Sequence, residues 1–397
     1  MLSLSMIVRN EAERLERCLL SVAGFVDEMV VVDTGSDDGT AAIAASCGAS
    51  VHHLAWPGDF APARNHALDL VTGDWVLVLD ADEWLRPESR APLSVLMAQP
   101  QLLLINLLRQ EVGAAQSPYS SVSRLFRRHP AIRWSRRYHA MVDDSVATLL
   151  EQEPHWQVVA CGEPALVHEG YRPDLLAASD KAARLREAME AELAARPGDP
   201  YTCAKLGALE VSQGHHARGI ALLEEGLAQA ETTSLAVRYE LLLHLAIARS
   251  PGEPAAAAAL YRQALELPLE ERLTLGARLN LGALLLRQGA LEEAAAQTAA
   301  VTRLCPELPL AWVNLGLIER QRGRLLEAIA AYRQALALEP QQADAQRSLA
   351  AALLLAGDIP GARDGFRRAI ALLEGQGQQE QATELARRAG ALVRLDA

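Results

Sequence analysis

Three glycines in the last third of the chain, Gly289, Gly323 and Gly357, stand 34 residues apart, and Ala294, Ala328 and Ala362 keep the same interval. A fixed period of this length constrains the fold more than any other feature, because one unit is too short to bury an apolar face alone and must stack on its neighbours. Small residues let two antiparallel helices approach closely, while Leu and Tyr fill the space between successive pairs. The period predicts an all-α solenoid, clearest over 275–378. Fainter copies start near Pro200, with Leu206, Gly207 and Gly214, and near Leu235, with Leu245 and Ala246. An amphipathic segment from Glu380 to Leu395 is placed to cap the stack.

The best unit reads Trp312, Leu315, Gly316, Gly323, Ala328, Tyr332 and Pro340, with Glu319 where Tyr is usual. This resembles the tetratricopeptide repeat. The resemblance implies a concave face on which a protein or peptide can lie, with a dimerising or stabilising appendage as the plainer role.

The first 110 residues follow another rule. LSLSMIV, EMVVVD, ASVHHL, DWVLVLD and LLLINLL read as strands, separated by helices near Glu11–Val22, Thr40–Cys47 and Ala61–Val71. Strands apolar on both faces and alternating with helices predict an α/β domain with a mostly parallel sheet covered on two sides. Ligands of such sheets bind beyond the carboxyl ends of the strands. The polar motifs of the chain fall there.

At 397 residues two domains are expected. A net charge of -12 argues against a nucleic-acid partner, which needs a concentrated basic footprint. The run Arg124, Arg127, Arg128, Arg133, Arg136 and Arg137 could line a phosphate site, but a solvated loop is the favoured reading. Five scattered cysteines without CxxC spacing point to neither a disulfide framework nor a zinc site. The start MLSLSMIVRNEAER reaches charge too soon for a signal peptide, and no apolar run is long enough for an integral membrane segment. A cytoplasmic protein is expected.

Asp80-Ala81-Asp82-Glu83 closes one strand with two carboxylates two residues apart, hard oxygen donors of the kind that suit Mg2+ or Mn2+. VVVDTGSDDGT crowds Asp33, Thr34, Ser36, Asp37 and Asp38 into a strand-to-helix loop. Asp33-Thr34-Gly35-Ser36 spells the aspartic-protease tetrapeptide, but no second copy exists to share a proton and the next segment is helical. A calcium loop fails because Gly35 replaces a ligand and Ala44 stands where a bidentate Glu is needed. A nucleotide base and ribose site fits the position best. No GxGxxG or GxxxxGK[ST] motif is present, which disfavours dinucleotide oxidoreductases and P-loop enzymes.

SMIVRNE, FVDEMVVVDTGSDDGT, WPGDFAPARNHAL and GDWVLVLDADE, in that order, resemble the family 2 glycosyltransferases of the GT-A fold, and within them the bacterial subgroup fused to tetratricopeptide repeats. The resemblance implies a GT-A domain over 1–175, a linking helix over 176–198 and repeats over 199–397. It implies that Asp33 binds the base, that Val8, Arg9, Asn10, Glu11, Ser36 and Asp38 border the nucleotide, and that Arg64 and Asn65 brace its pocket. Asp80 and Asp82 would hold ribose and metal, with His168 of the His168, Gly170, Tyr171 motif as third metal ligand. A second family motif keeps Trp134 and His139 but has Ala140 where Glu is expected.

That Glu would take the acceptor proton, a contribution of roughly 10²–10⁴-fold. Its absence leaves Asp143, Asp144, His139 and Glu83 as base candidates. A thiol acceptor, already acidic, would need less help. The expected function is metal-dependent, inverting transfer from a nucleotide-sugar, a UDP-sugar in the first instance, to a protein, peptide or cell-surface precursor, with the repeat groove as acceptor site and a homo-oligomer also compatible. The rival is a degenerate, nucleotide-binding transferase that serves as a repeat-based scaffold. A nucleotidyltransferase would need a Gly-rich basic loop that SMIVRNEAER lacks.

Overall fold

The computed structural model describes residues 1–114, 117–136, 139–170, 179–230 and 233–394. Tyr171 and Arg137 lie outside the described residues. The chain divides into two compact units, Met1–Val237 and Arg238–Ala397.

The first unit holds the strands β1 (Leu2–Val8), β2 (Glu28–Asp33), β3 (Ser50–His53), β4 (Trp75–Val78), β5 (Glu83–Leu85), β6 (Leu102–Glu111), β7 (Tyr119–Arg127) and β8 (Gln157–His168). They form one sheet in the order β3-β2-β1-β4-β7-β6-β8-β5. Its first strands are apolar on both faces because both faces are covered. Leu4, Met6, Val31 and Leu77 pack against Leu15, Leu19 and Val22 of α1 (Leu15–Val22), while Val30, Val76 and Val78 pack against Ala61 and Leu68 of α3 (Phe60–Leu70). Each such side chain taken from water contributes about 1.5–3 kcal/mol.

The expected parallel pairing holds for β1 with β2, β1 with β4 and β2 with β3. Beyond β4 the sheet becomes mixed: β7 runs antiparallel to β4 and β6, β8 parallel to β6, and β5 antiparallel to β8. The reason is connection length. The link between β6 and β7 is short, and a short link can join only antiparallel neighbours, whereas α1, α2 (Thr40–Ser46) and α3 return the chain for parallel ones. The helix expected from Glu11 begins at Leu15, because Asn10 is left-handed, with φ of 55°, and the Glu11 carbonyl closes a turn with the Arg14 and Leu15 amides first.

After the sheet come helix Ser179–Ala195 and the pair Pro200–Ser212 and His216–Ala228, joined through Met189, Leu206 and Leu222. In the second unit helices Leu275–Gln288, Leu291–Leu304, Pro309–Gln321, Leu325–Leu338, Ala343–Leu355 and Ile359–Gly375 alternate, and Gln379–Gly390 ends the stack with Leu385 and Ala389 buried. The 34-residue glycines have φ of 77°, 78° and 85° at Gly289, Gly323 and Gly357, a left-handed helix exit that a side chain would strain. At Gly316 a Cβ would meet the Tyr332 ring at 2.6 to 2.8 Å, so close packing requires the glycine. Glu319, in place of the usual Tyr, is buried and neutralised by Arg322 at 2.7 Å.

Candidate active site

The carboxyl ends of β1 and β2 are laced together by side chains. Ser36 Oγ accepts from the Asn10 amide at 2.9 Å, Asn10 Oδ1 from the Asp37 amide at 3.0 Å, Thr40 Oγ1 from the Glu11 amide at 2.8 Å, and Asp38 Oδ2 from the Ala12 amide at 3.1 Å. Val8 anchors this lacing through its carbonyl, which accepts from the Thr34 amide and hydroxyl. Arg9 is exposed beside it. The Thr40 hydroxyl holds the Asp38 carboxyl below its usual range.

Asp33 ends β2 almost fully buried. Its Oδ1 accepts from the Gly35 and Ser36 amides, both at 2.8 Å, while the buried Oδ2 has no hydrogen-bond partner among the described residues. Burial opposes the charge, but the Ser36 and Gly35 hydrogen bonds keep the carboxyl below its ordinary value. An ionised oxygen held without a partner is expensive unless a ligand brings a donor.

A second group starts where β4 ends. Asp80 gives Oδ1 to Arg64 and Oδ2 to Arg124, both at 2.6 Å, and the two guanidinium groups also approach the Trp134 ring, at 4.8 and 5.9 Å from its centroid. Burial works against ionisation, yet Arg124 and Arg64 hold this carboxyl well below the carboxylate range. Glu83 Oε2 accepts from the Asp80 amide at 2.9 Å, and its Oε1 is paired with Arg109. Arg109 also reaches Glu111 at 2.8 Å, and Glu111 Oε2 meets His168 Nδ1 at 2.5 Å. The other imidazole nitrogen, Nε2, lies 3.4 Å from Asp82 Oδ2. Burial would lower the His168 pKa, but hydrogen bonds to Asp82 and Glu111 push it up to about 9. Glu11, close by, is raised by burial, with Asp82 and Asp80 adding to the effect and Arg14 opposing it. Perturbed carboxylates gathered at strand ends mark a functional site.

Among the described residues no three His, Cys, Asp or Glu side chains converge as a complete metal cage. Asp82 and His168 do converge, and Asp80 as arranged has both oxygens on arginine. Two protein donors fit a cation that takes its remaining ligands from phosphate and water.

A sequence profile of Glycosyl transferase family 2 matches residues 3–158, and tetratricopeptide profiles match 247–309 and 316–357. A TPR repeat-containing protein of Synechococcus elongatus is 44% identical over 379 residues, which is 95% of this chain and 94% of that one. The chain belongs to the family 2 glycosyltransferases fused to tetratricopeptide repeats. An uncharacterized glycosyltransferase of Rickettsia felis is 39% identical over 97 residues, 24% of this chain and 34% of its own. The SPbeta prophage-derived glycosyltransferase SunS of Bacillus subtilis is 26% identical over 141 residues, 34% of this chain and 32% of its own. The chain thus spans about a third of the length of these two relatives.

The four base candidates of this glycosyltransferase have different surroundings. Glu83 is fully buried with both oxygens engaged. Asp144 is bound by Arg136 at 3.0 Å, Arg196 at 3.0 Å and Ser135 at 2.7 Å. His139 is left-handed, φ 54°, with its ring 6.3 Å from that of Tyr201. Asp143, the first residue of α4 (Asp143–Gln152), is exposed and accepts from the Ser123 hydroxyl at 2.8 Å. Ala140 packs against the cluster containing Trp134 and Val142.

Asn65 uses both ends of its amide on the Trp134 backbone, each at 2.9 Å, and so pins the loop that carries Trp134. Among the described members of the arginine run, Arg128 and Arg133 are exposed as a solvated loop would have them, whereas Arg124, Arg127 and Arg136 are partly buried. Arg124 and Arg127 lie on β7, Arg127 bonding the Leu102 and Gln99 carbonyls and stacking on Trp75, and Arg128 bonds the Gly73 carbonyl. Arg133 pairs with Asp69 at 3.0 Å, and Arg136 with Asp144 and Asp199. Arg109 and Glu111, which sequence reasoning passed over, stand two residues apart at the end of the apolar run of β6.

Proposed function

We propose that this glycosyltransferase moves a sugar, with inversion, from a UDP-sugar to a hydroxyl of a protein, peptide or cell-surface precursor in the cytoplasm. The observation that carries the donor reading is Asp33, whose unpartnered buried Oδ2 suits the N–H of a pyrimidine base. Asn10, Glu11, Ser36 and Asp38 shape the adjoining loops, with Val8 and Arg9 at their root, and Asn65 braces the pocket through the Trp134 loop. Asp82 and His168 would hold Mn2+ or Mg2+, with Asp80 on the ribose or joining them once a diphosphate draws Arg64 and Arg124 toward itself. A cation there supplies charge neutralisation for the departing nucleoside diphosphate.

In the transfer the acceptor oxygen forms a bond to the anomeric carbon as the bond to the diphosphate breaks, and the acceptor proton passes to a carboxylate. Asp143 is the candidate we favour: among the described residues it forms no ion pair, and its exposed carboxylate is open to an acceptor. Residues 1–175 would carry this chemistry, 176–198 connect, and 199–397 present the acceptor, in one chain or a homo-oligomer.

Ala140 supports a second reading, a nucleotide-binding scaffold without turnover. Release of nucleoside diphosphate from a panel of UDP-, GDP- and dTDP-sugars with Mn2+ separates the two. Release specific to one donor and lost in Asp82→Ala supports transfer; binding without release, with cell-extract acceptors present, supports the scaffold.

A further inference from the structure

Across the sheet, β8 lies between β6 and β5, and the register sets Glu111 and Glu83 opposite the same residue, His168. Directly paired residues project from the same face of a sheet, so an imidazole stands in a row between two carboxylates. Arg109, two residues before Glu111 and therefore on its face, ties the row together by pairing with both Glu83 and Glu111. The Ser120 hydroxyl also donates to Glu111. Glu111 is 4% exposed and Glu83 is 0% exposed, so neither carboxylate exists to meet solvent.

From this arrangement we infer that Glu111, clamped by Arg109, is a positioning residue: it takes the Nδ1–H of His168 and thereby presents Nε2 toward Asp82 as a ligand for a divalent cation. An imidazole has two nitrogens and two flip states. A carboxylate that takes Nδ1–H turns the other nitrogen toward Asp82, where a divalent cation would replace the Nε2 proton, and such outer partners govern metal affinity without touching the metal. The inference rests on the cation reading above and goes beyond it by assigning residues that no motif of the family-like segments contains.

Gly170 supplies an independent constraint on the same ring. A Cβ at that position would overlap His168 Cε1 and Nε2, so the chain after β8 is kept free of a side chain where the ring must stand. The ring is therefore held by a hydrogen bond at Nδ1, and residue 170 admits no side chain beside it.

The test is Mn2+ titration of the full-length chain, alone and with UDP, followed by loss of the free Mn2+ EPR signal, with a thermal melt of each variant as the folding control. Glu111→Ala is expected to weaken Mn2+ binding by roughly 10–100-fold. Glu111→Gln retains an acceptor oxygen for Nδ1–H and should restore most of it. Gly170→Ala leaves Glu111 and Arg109 untouched and should also weaken binding, which keeps the idea testable if Glu111→Ala does not fold. Wild-type affinity in both Glu111→Ala and Gly170→Ala would overturn the inference while leaving the cation reading intact. A wild-type protein that takes up no Mn2+, with or without UDP, overturns both.

Discussion

The repeats fill the left-handed region of backbone space with glycine alone, whereas the sheet domain uses side-chained residues there beside glycines such as Gly35 and Gly39. In the repeats every left-handed residue described is glycine, as at Gly214, Gly289, Gly323, Gly357 and Gly377, where the chain leaves a helix at little conformational expense. In the sheet domain Asn10, Arg136 and His139 hold the same region with full side chains, at φ of 55°, 72° and 54°. Each such residue costs of order 1–3 kcal/mol and persists only where its surroundings hold it. Asn10 follows β1, and Arg136 and His139 lie in the loop between β7 and helix Asp143–Gln152. The repeats are built for a uniform stack, whereas the loops accept strain and paired buried charge in order to aim particular atoms.

The sharpest way to break this contrast is to remove a charge from the strand ends and look for lost chemistry without lost stability. Asp82→Ala is expected to lower kcat by about 10²–10³-fold, the usual scale for deleting one electrostatic partner of a departing group. Its melting temperature should stay near wild type, since Asp82 is partly exposed. An unfolded variant would mean that Asp82 is structural. Asp33→Asn is the next largest. Its Oδ1 can still accept from Gly35 and Ser36, but the atom at Oδ2 becomes a donor facing a donor, so the donor sugar nucleotide should bind about 10–100-fold more weakly. Isothermal titration with UDP reads this directly, and unchanged affinity would remove Asp33 from the base pocket.

How much of this was legible depended on how local the determining contacts are. Three of the parallel strands, β1, β2 and β4, carry their own signal, because apolar residues on both faces can be satisfied only between two helical layers. The repeats announce themselves by period. β5, three residues long, and β8, which contains Gly162 and Pro164, carry little strand signal and become strands through pairing with each other and with β6. The site divides in the same way. Asp33, Asp80, Asp82 and His168 lie in motifs at strand ends, but Arg124 reaches Asp80 across 44 positions and Glu111 reaches His168 across 57. Those partners follow from sheet order, and the strand order beyond β4 is not encoded in any short segment.

On the repeat side the matching experiment is Gly316→Val. The added atoms must enter space already filled by the Tyr332 ring, an overpacking that costs roughly 1–3 kcal/mol. The melting temperature should fall, while release of nucleoside diphosphate to water, which needs no acceptor, should keep its wild-type rate. A parallel loss of donor hydrolysis would show that the two functions are not separable in this way.

The smallest expected effect lies where strained loop and repeat meet within the first unit. Arg136, left-handed and nearly buried, binds Asp144 in the first turn of helix Asp143–Gln152 at 3.0 Å and Asp199 at 2.7 Å, and Asp199 caps helix Pro200–Ser212 by accepting from the Thr202 amide at 2.8 Å. Burial alone would raise the Asp144 pKa, but the hydrogen bonds from Arg136 and Ser135 bring it down to about 2. A folded value below the unfolded one, about 3.9, stabilises the fold only while the group is ionised. The contribution is therefore complete above pH 4 and disappears as pH falls through 2. Asp144→Asn should destabilise the chain by about 1–2 kcal/mol at neutral pH, allowing for solvent screening, and the gap from wild type should close as the pH is lowered from 4 toward 2. Urea denaturation at a series of pH values measures that gap. A gap independent of pH would mean that Arg136 holds Asp144 by shape and hydrogen bonding alone, and that the strained loop draws no electrostatic support from the cap of the first repeat.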